Sequence, residues 1–359
     1  MARVINGHLL LAVALFLAGC VAPPPAKNRS NVTLTPLATS EEQWTGIAVS
    51  RGRRLFVNFP RWSEAISMSV AEIGPKGQRT PYPNRAWNRW GETLPARNHF
   101  VCVQSVFVDD RDRLWILDAA NPRFEGVVPG GPKLVMVDLQ KGAVMRNIGF
   151  EVDVAPRNSY LNDVRIDTAR HTAYISDSGA GAIIVVDLRT GKSRRLLDEH
   201  PSTASQGTPI VFDGKAWTRA DGGQPDVHVD GIALSPDGDE LYYHALTAGT
   251  LYRIDTDILR DPDADARALD RHVESVTRTG PVDGICFGPD ERLYLTDLEG
   301  DAITRWSPDR GLEVFVQDPR LVWPDSLAAG PGNQLYVTTS QIHKGSAPPE
   351  PYRLFRFDP

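Results

Sequence analysis

Residues 283–300 read DGICFGPDERLYLTDLEG. An apolar run from Ile285 to Phe287 leads into Gly288-Pro289-Asp290, and a second run from Leu293 to Thr296 follows. Two strand-length runs around a Gly/Pro/Asp turn predict antiparallel strands, not a helix. The pattern recurs along the chain. Counted from Asp283, the pair Leu293-Tyr294 fills the second run. Leu335-Tyr336 holds the same offsets from Asp325, Leu114-Trp115 from Gln104, and Leu55-Phe56 from Thr45. From Asn162 and Asp230, the pairs Ala173-Tyr174 and Leu241-Tyr242 come one residue later, as one extra turn residue requires.

Six such copies predict an all-β fold, a six-bladed β-propeller of four-stranded antiparallel blades. A ring of blades leaves few open sheet edges. Closing it is expected to fall to the terminal segment YRLFRF, from Tyr352, pairing with VTLTPLA, from Val32. One short helix is expected between Asp257 and Val276, linking the fourth and fifth repeats.

Residues 1–31 read as an address and not as fold. Arg3 precedes an apolar stretch from Leu9 to Ala18 that is too short for an ordinary spanning helix. It ends in Leu17-Ala18-Gly19-Cys20, which matches a lipoprotein processing box. The expected division is a signal peptide at 1–19, a lipidated Cys20 with a stiff polar tether over 20–31, and one propeller domain over 32–359. The protein is thus expected in the cell envelope, touching the membrane through its lipid alone. Val21 after the lipidated cysteine leans towards an outer membrane.

Composition excludes other classes. The chain has 359 residues, 41% hydrophobic and 23% charged, with net charge −6 and no Lys/Arg-rich run. Nothing there draws nucleic acid or anionic lipid. A monomer with a small-molecule partner is expected. Walker, GxGxxG, HExxH, CxxC and GxSxG patterns are absent. Cys102 and Cys286 fall in repeats on opposite sides of the ring, so both are expected to be buried free thiols.

Geometry places the candidate site. Each blade's first strand starts, and its second ends, at one edge of the meander. Thr45, Gln104, Asn162, Asp230, Asp283 and Asp325 therefore converge on one mouth of the central channel. Three carboxylates and two amides suit a hard cation, with Ca²⁺ the best match. Without one, like charges crowd and a pKa must rise. Asp118, Asp177 and Asp297, with His244 and Glu299 near them, form a wider ring at the second-strand ends. Those three aspartates are expected to tie loops. His228 and Trp323 precede ring positions, Trp323 as an apolar wall for an aromatic ligand. Two readings stay open for Asp230 and Asp283, since Asp before Gly also shapes turns. Asp213-Gly214 reads as a hairpin turn.

Longer blocks carry a resemblance. RLFVNFPRW from Arg54, PYPNRAWN from Pro81, VQSVFVDDRDRLWILD from Val103 and SYLNDVRID from Ser159 are four of them. DGIALSPDGDELYYHALTAGTLYRI from Asp230, DGICFGPDERLYLTDLEGDAITRW from Asp283 and WPDSLAAGPGNQLYVTTSQI from Trp323 complete the set. Together they resemble the Yellow/major royal jelly protein family in its bacterial branch. That resemblance implies a secreted six-bladed propeller whose members bind small molecules or serve pigment pathways; together with the converging ring it gives the expectation of a small, aromatic or amine-bearing molecule held at the mouth, where the geometry puts Gln104, His228, Trp323 and Asp325. It also brings a dopachrome-tautomerase label, for which His244 or His228 would carry the proton. A more distant likeness, to gluconolactonase-type propellers, implies a metal held by Asn162, Asp230 and a third ligand such as Asp283. In that case a nearby aspartate, Asp283, would act as base in lactone hydrolysis. Thr45 stands where that group has its first-blade glutamate.

Overall fold

The computed structural model describes residues 32–64, 66–219, 221–345 and 347–359. The export and lipidation readings on 1–31 lie outside them. The fold is a six-bladed β-propeller: six four-stranded antiparallel sheets around a channel, plus one two-stranded hairpin. Each blade opens with an inner strand on the channel. These are Ile47–Val49, Val103–Val108, Leu161–Asp167, Val229–Leu234, Ile285–Phe287 and Pro324–Gly330. Blade six completes itself with Gln334–Thr339, Tyr352–Phe357 and then Thr35–Ser40 from the start of the chain. The register runs from Thr35 against Arg356 to Ser40 against Tyr352. The expected clasp between first and last segments is therefore present.

The core is a set of wedges between blades. Ala233, Tyr242 and Leu251 of blade four meet Ile285, Leu293 and Leu295 of blade five. Trp115, Leu117 and Leu134 of blade two likewise meet Val164, Ile175 and Ile184 of blade three. Period-two alternation supplies both faces of each sheet to these wedges, which is why the repeat positions are aromatic or branched. Emptying one wedge of a side chain such as Trp115 costs about 3–5 kcal/mol.

Two expectations need correction. The helical segment is two short helices, Thr256–Arg260 and Ala266–His272. They lie within blade four, ahead of its last strand Val273–Arg278, so they do not link blades. Pro262 and the Asp265 cap, which accepts from the Ala268 N–H, divide the segment. The thiols also differ. Both cysteines are free and Cys102 is buried, but Cys286 is only half-buried and borders the channel. No helix among the described residues is long and apolar enough to cross a membrane.

Candidate functional site

Four of the six inner strands carry a register irregularity against their neighbours, and each falls on a ring residue. The shifts lie between Val103 and Ser105, Leu161 and Val164, Val229 and Ile232, and Pro324 and Leu327. Gln104, Asn162, Asp230 and Asp325 occupy these bulges. A bulge breaks the in/out alternation and re-aims a side chain, here towards the channel. The ring's two Asp-Gly pairs, Asp230-Gly231 and Asp283-Gly284, do not shape turns. A Cβ on Gly231 would stand 2.1 Å from the Asp283 carbonyl oxygen, and one on Gly284 2.3 Å from that of Asp325. Glycine is needed because the next blade's backbone passes that close.

The ring residues are buried and joined. The Trp62 indole N–H donates to the Tyr160 hydroxyl at 2.6 Å, and that hydroxyl donates to Gln104 Oε1 at 3.0 Å. Gln104 Nε2 reaches Asn162 Oδ1 at 3.4 Å, and Asn162 Nδ2 donates to Asp230 Oδ2 at 2.7 Å. From the other side, the Trp323 indole N–H donates to Asp283 Oδ2 at 2.7 Å. Ser326 Oγ donates to Asp325 Oδ1 at 2.9 Å. Thr45 is turned away, its hydroxyl on the Gln104 carbonyl at 3.2 Å.

Charge at the mouth is uncompensated. Burial pushes the Asp230 carboxyl well above the carboxylate range, and the charges of Asp163 and Asp325 push it further; a bond with Asp283 opposes them. Burial does the same to Asp283, with Asp325 and Asp230 adding and the Trp323 N–H opposing. Asp325 is raised to about 7, chiefly by burial, against the hydroxyls of Ser340 and Ser326. What opposes these shifts is hydrogen bonding, and among the described residues no Lys, Arg or His contributes. A buried carboxyl in this state donates a proton near neutral pH, or holds a cation once ionised.

Aromatic side chains flank the ring on two sides. Phe124 stacks on Tyr160 at 5.0 Å and on Trp62 at 5.7 Å, and remains 62% exposed. Opposite stands Trp323, packed by Phe212 at 5.8 Å, His343 at 5.8 Å and the edge of Trp217 at 5.1 Å. Phe212 comes from the hairpin Val211–Phe212/Lys215–Ala216, which turns at Asp213-Gly214 with positive φ at both. This hairpin precedes blade four, yet its Val211 N–H reaches Glu299 Oε1 of blade five at 2.7 Å. Sequence reasoning passed over Tyr160, Trp62, Phe124, Phe212, Trp217 and His343. Three lie between blades, and Trp62, Phe124 and His343 lie in loops inside blades one, two and six. Tyr160, two before Asn162 as Trp323 is two before Asp325, was the one signal available.

The histidines lie apart from the carboxylates. His244 Nε2 meets Thr279 Oγ1 at 2.7 Å, and burial lowers its pKa to about 4. It is therefore a neutral ring at physiological pH. His228 Nδ1 accepts the Ser205 N–H at 3.1 Å. The wider aspartates hold loops as expected. Asp118 accepts the N–H groups of Val101, Cys102 and Ala120. Asp177 accepts those of Tyr160, Gly179 and Ala180. Asp297 holds the Gly300 N–H.

Beyond the ring, a cavity of about 250 Å³ opens at the channel's other end. Arg165 of blade three stands there, bonded to Asp163 at 3.2 Å and reaching the Ile285 carbonyl of blade five at 2.8 Å.

Among the described residues no group of three or more His, Cys, Asp or Glu side chains is placed to hold one metal ion. Asn162 presents its amide nitrogen, not its oxygen, to Asp230. The oxygens are hard donors of the right kind, but they bond to neighbours instead of converging.

The sequence profile of the family described as "Major royal jelly protein" matches residues 101–348. Major royal jelly protein 1 of Apis mellifera is 26% identical over 244 residues, 62% of this chain and 52% of that protein. Major royal jelly protein 6 of the same species is 25% identical over 228 residues, 59% of this chain and 47% of that one. The chain thus spans about half the length of these relatives. Among solved structures, a gluconolactonase from Xanthomonas campestris superposes with TM-score 0.54 at 13% identity, covering 91% of this chain and 89% of its own. Virginiamycin B lyase from Staphylococcus aureus gives TM-score 0.50 at 15% identity, covering 86% and 81%. At such identities the likeness concerns the fold alone.

Proposed function

This chain belongs to the major royal jelly protein family, and we propose that it captures a small aromatic amine at the channel mouth. One observation carries the reading. Asp230, Asp283 and Asp325 are buried together, and among the described residues no Lys, Arg or His opposes their mutual repulsion. A protonated amine supplies the missing charge. Its ring finds apolar surface at the exposed Phe124 of the Phe124–Tyr160 stack, where cation–π attraction adds to burial. Gln104 and Asn162 then act through the hydrogen-bond chain, fixing the Asp230 carboxylate. Export and lipid anchoring through Cys20 complete the proposal: capture outside the cytoplasm by a tethered protein.

The test is thermal melting with matched ligands. An arylethylamine is compared with the arylethanol of the same shape, an alkyl amine and Ca²⁺. The amine is expected to stabilise by about 2.7 kcal/mol at a hundredfold excess over its Kd, the alcohol not at all. Asp283→Asn and Asp230→Asn should abolish the response. No response to any amine counts against the reading. Stabilisation by Ca²⁺ alone, reversed by chelator, would favour a lactonase-type metal site instead.

A further inference from the structure

The cavity of about 250 Å³ at the channel's other end differs in charge from the mouth. Among the described residues its lining holds two charged side chains, Asp163 and Arg165. Most of the remaining wall is apolar. Phe107 of blade two, Leu234 of blade four and Phe287 of blade five line it and are only half-buried. Arg165 is fixed across this space, its side chain 11% exposed. Nη1 donates to the Val164 carbonyl at 2.8 Å. Nη2 donates to the Ile285 carbonyl at 2.8 Å and to Asp163 Oδ2 at 3.2 Å. The guanidinium also lies 5.6 Å from the centre of the Phe107 ring. Blades two, three and five therefore hold it in place.

A guanidinium carries five N–H donors, and these bonds take three of them. Nε and the second Nη1 hydrogen meet no acceptor among the described residues. Other arginines of the fold fill that fork. Arg54 sets Nε and Nη2 on Glu72, both at 2.7 Å. Arg320 sets the same pair on Asp318 at 2.9 and 2.7 Å. Asp163 instead meets Arg165 through one nitrogen, and its second oxygen takes the Ser105 hydroxyl at 3.2 Å. A shielded, immobilised guanidinium with unused donors beside an apolar hollow suits a carboxylate on an apolar body. We propose that this cavity binds a small organic carboxylate, its anion on the unused donors of Arg165 and its apolar part against Phe107, Leu234 and Phe287. Volume sets the class. A hollow of about 150 Å³ accepts benzene, so 250 Å³ takes one ring or a short branched chain with its carboxylate. The site is separate from the mouth, which offers an anion three acids and, among the described residues, no cation.

Calorimetry on the purified full chain near neutral pH compares benzoate with benzamide, which has the same shape and no charge. Benzoate is expected to bind about tenfold tighter or more. Asp163→Asn removes the rival carboxylate and keeps its shape. Benzoate should then bind about tenfold tighter still, with benzamide unchanged. Asp163→Asn combined with Arg165→Gln strands no charge and should erase the preference for benzoate, with an unchanged melting curve confirming the fold. An arginine that only ties blade three to blade five predicts none of these changes. The proposal is overturned if benzamide binds as well as benzoate, or if the double variant keeps the parent's preference. It is also overturned if Asp163→Asn binds benzoate no tighter than the parent, a result that decides the matter even where the double variant does not fold.

Discussion

Asp118 and Asp177 are as deeply buried as Asp230, Asp283 and Asp325, but the two sets are neutralised differently. Asp118 has Lys133 at 2.6 Å, an ammonium fully shielded and further bound by the Ala96 and Gly131 carbonyls. Asp177 has Arg195 at 2.6 Å. Both also receive several backbone N–H groups. The ring carboxylates have a tryptophan N–H, an amide and serine hydroxyls, and among the described residues no cation. The same fold that fits an acid with a built-in counter-charge at the second-strand ends leaves three acids without one at the first-strand starts. Burying charge without a partner is costly, so the second arrangement marks a place where charge arrives from outside.

The largest effect that would sharpen this contrast is Lys133→Ala. Removing one partner of a fully buried pair strands the Asp118 charge, and about 3–5 kcal/mol of stability should go, read by urea unfolding at pH 7. Asp230→Asn should instead be neutral or stabilising, because it relieves repulsion. Equal losses in both variants would break the comparison.

The next effect is pH dependence. An unfolded aspartate has a pKa of about 3.9, and Asp325 in the folded chain is raised to about 7. Between these values the native state binds more protons than the unfolded one, so this contribution to stability falls as pH rises through the window. Asp325→Asn should flatten the profile there. A variant profile parallel to the parent's between pH 4 and pH 7 would contradict the assignment.

The smallest effect concerns Asp297, the third loop-holding acid. It has the Gly300 N–H at 3.0 Å, and burial raises its pKa. Asp297→Asn keeps the shape and should change stability by under about 1 kcal/mol. A loss on the scale of Lys133→Ala would mean that the cation is not what separates the sets.

The repeat was legible because each blade needs the same alternating strands and turn, so Leu293-Tyr294 recurs as Leu335-Tyr336 and Leu114-Trp115. The six ring positions were legible for the same reason. The walls were not. Phe124 sits in a loop between two strands of blade two and Phe212 in the connection ahead of blade four, and spacing carries no information about how such loops fold back over a mouth. The pairing of Asp118 with Lys133 was equally hidden, since the lysine lies on the next strand with no pattern marking it. Asp230-Gly231 looked like a turn signal because sequence cannot show a neighbouring backbone 2.1 Å from a would-be Cβ.

Calorimetry of amine binding near pH 6.5, in two buffers of different ionisation heat, reads the protons exchanged. If the three ring acids give up their shared protons to an arriving cation, binding of an arylethylamine releases protons, and Asp325→Asn releases fewer. Binding with no net proton release, or equal binding of the uncharged alcohol, would show that the mouth does not answer charge with charge.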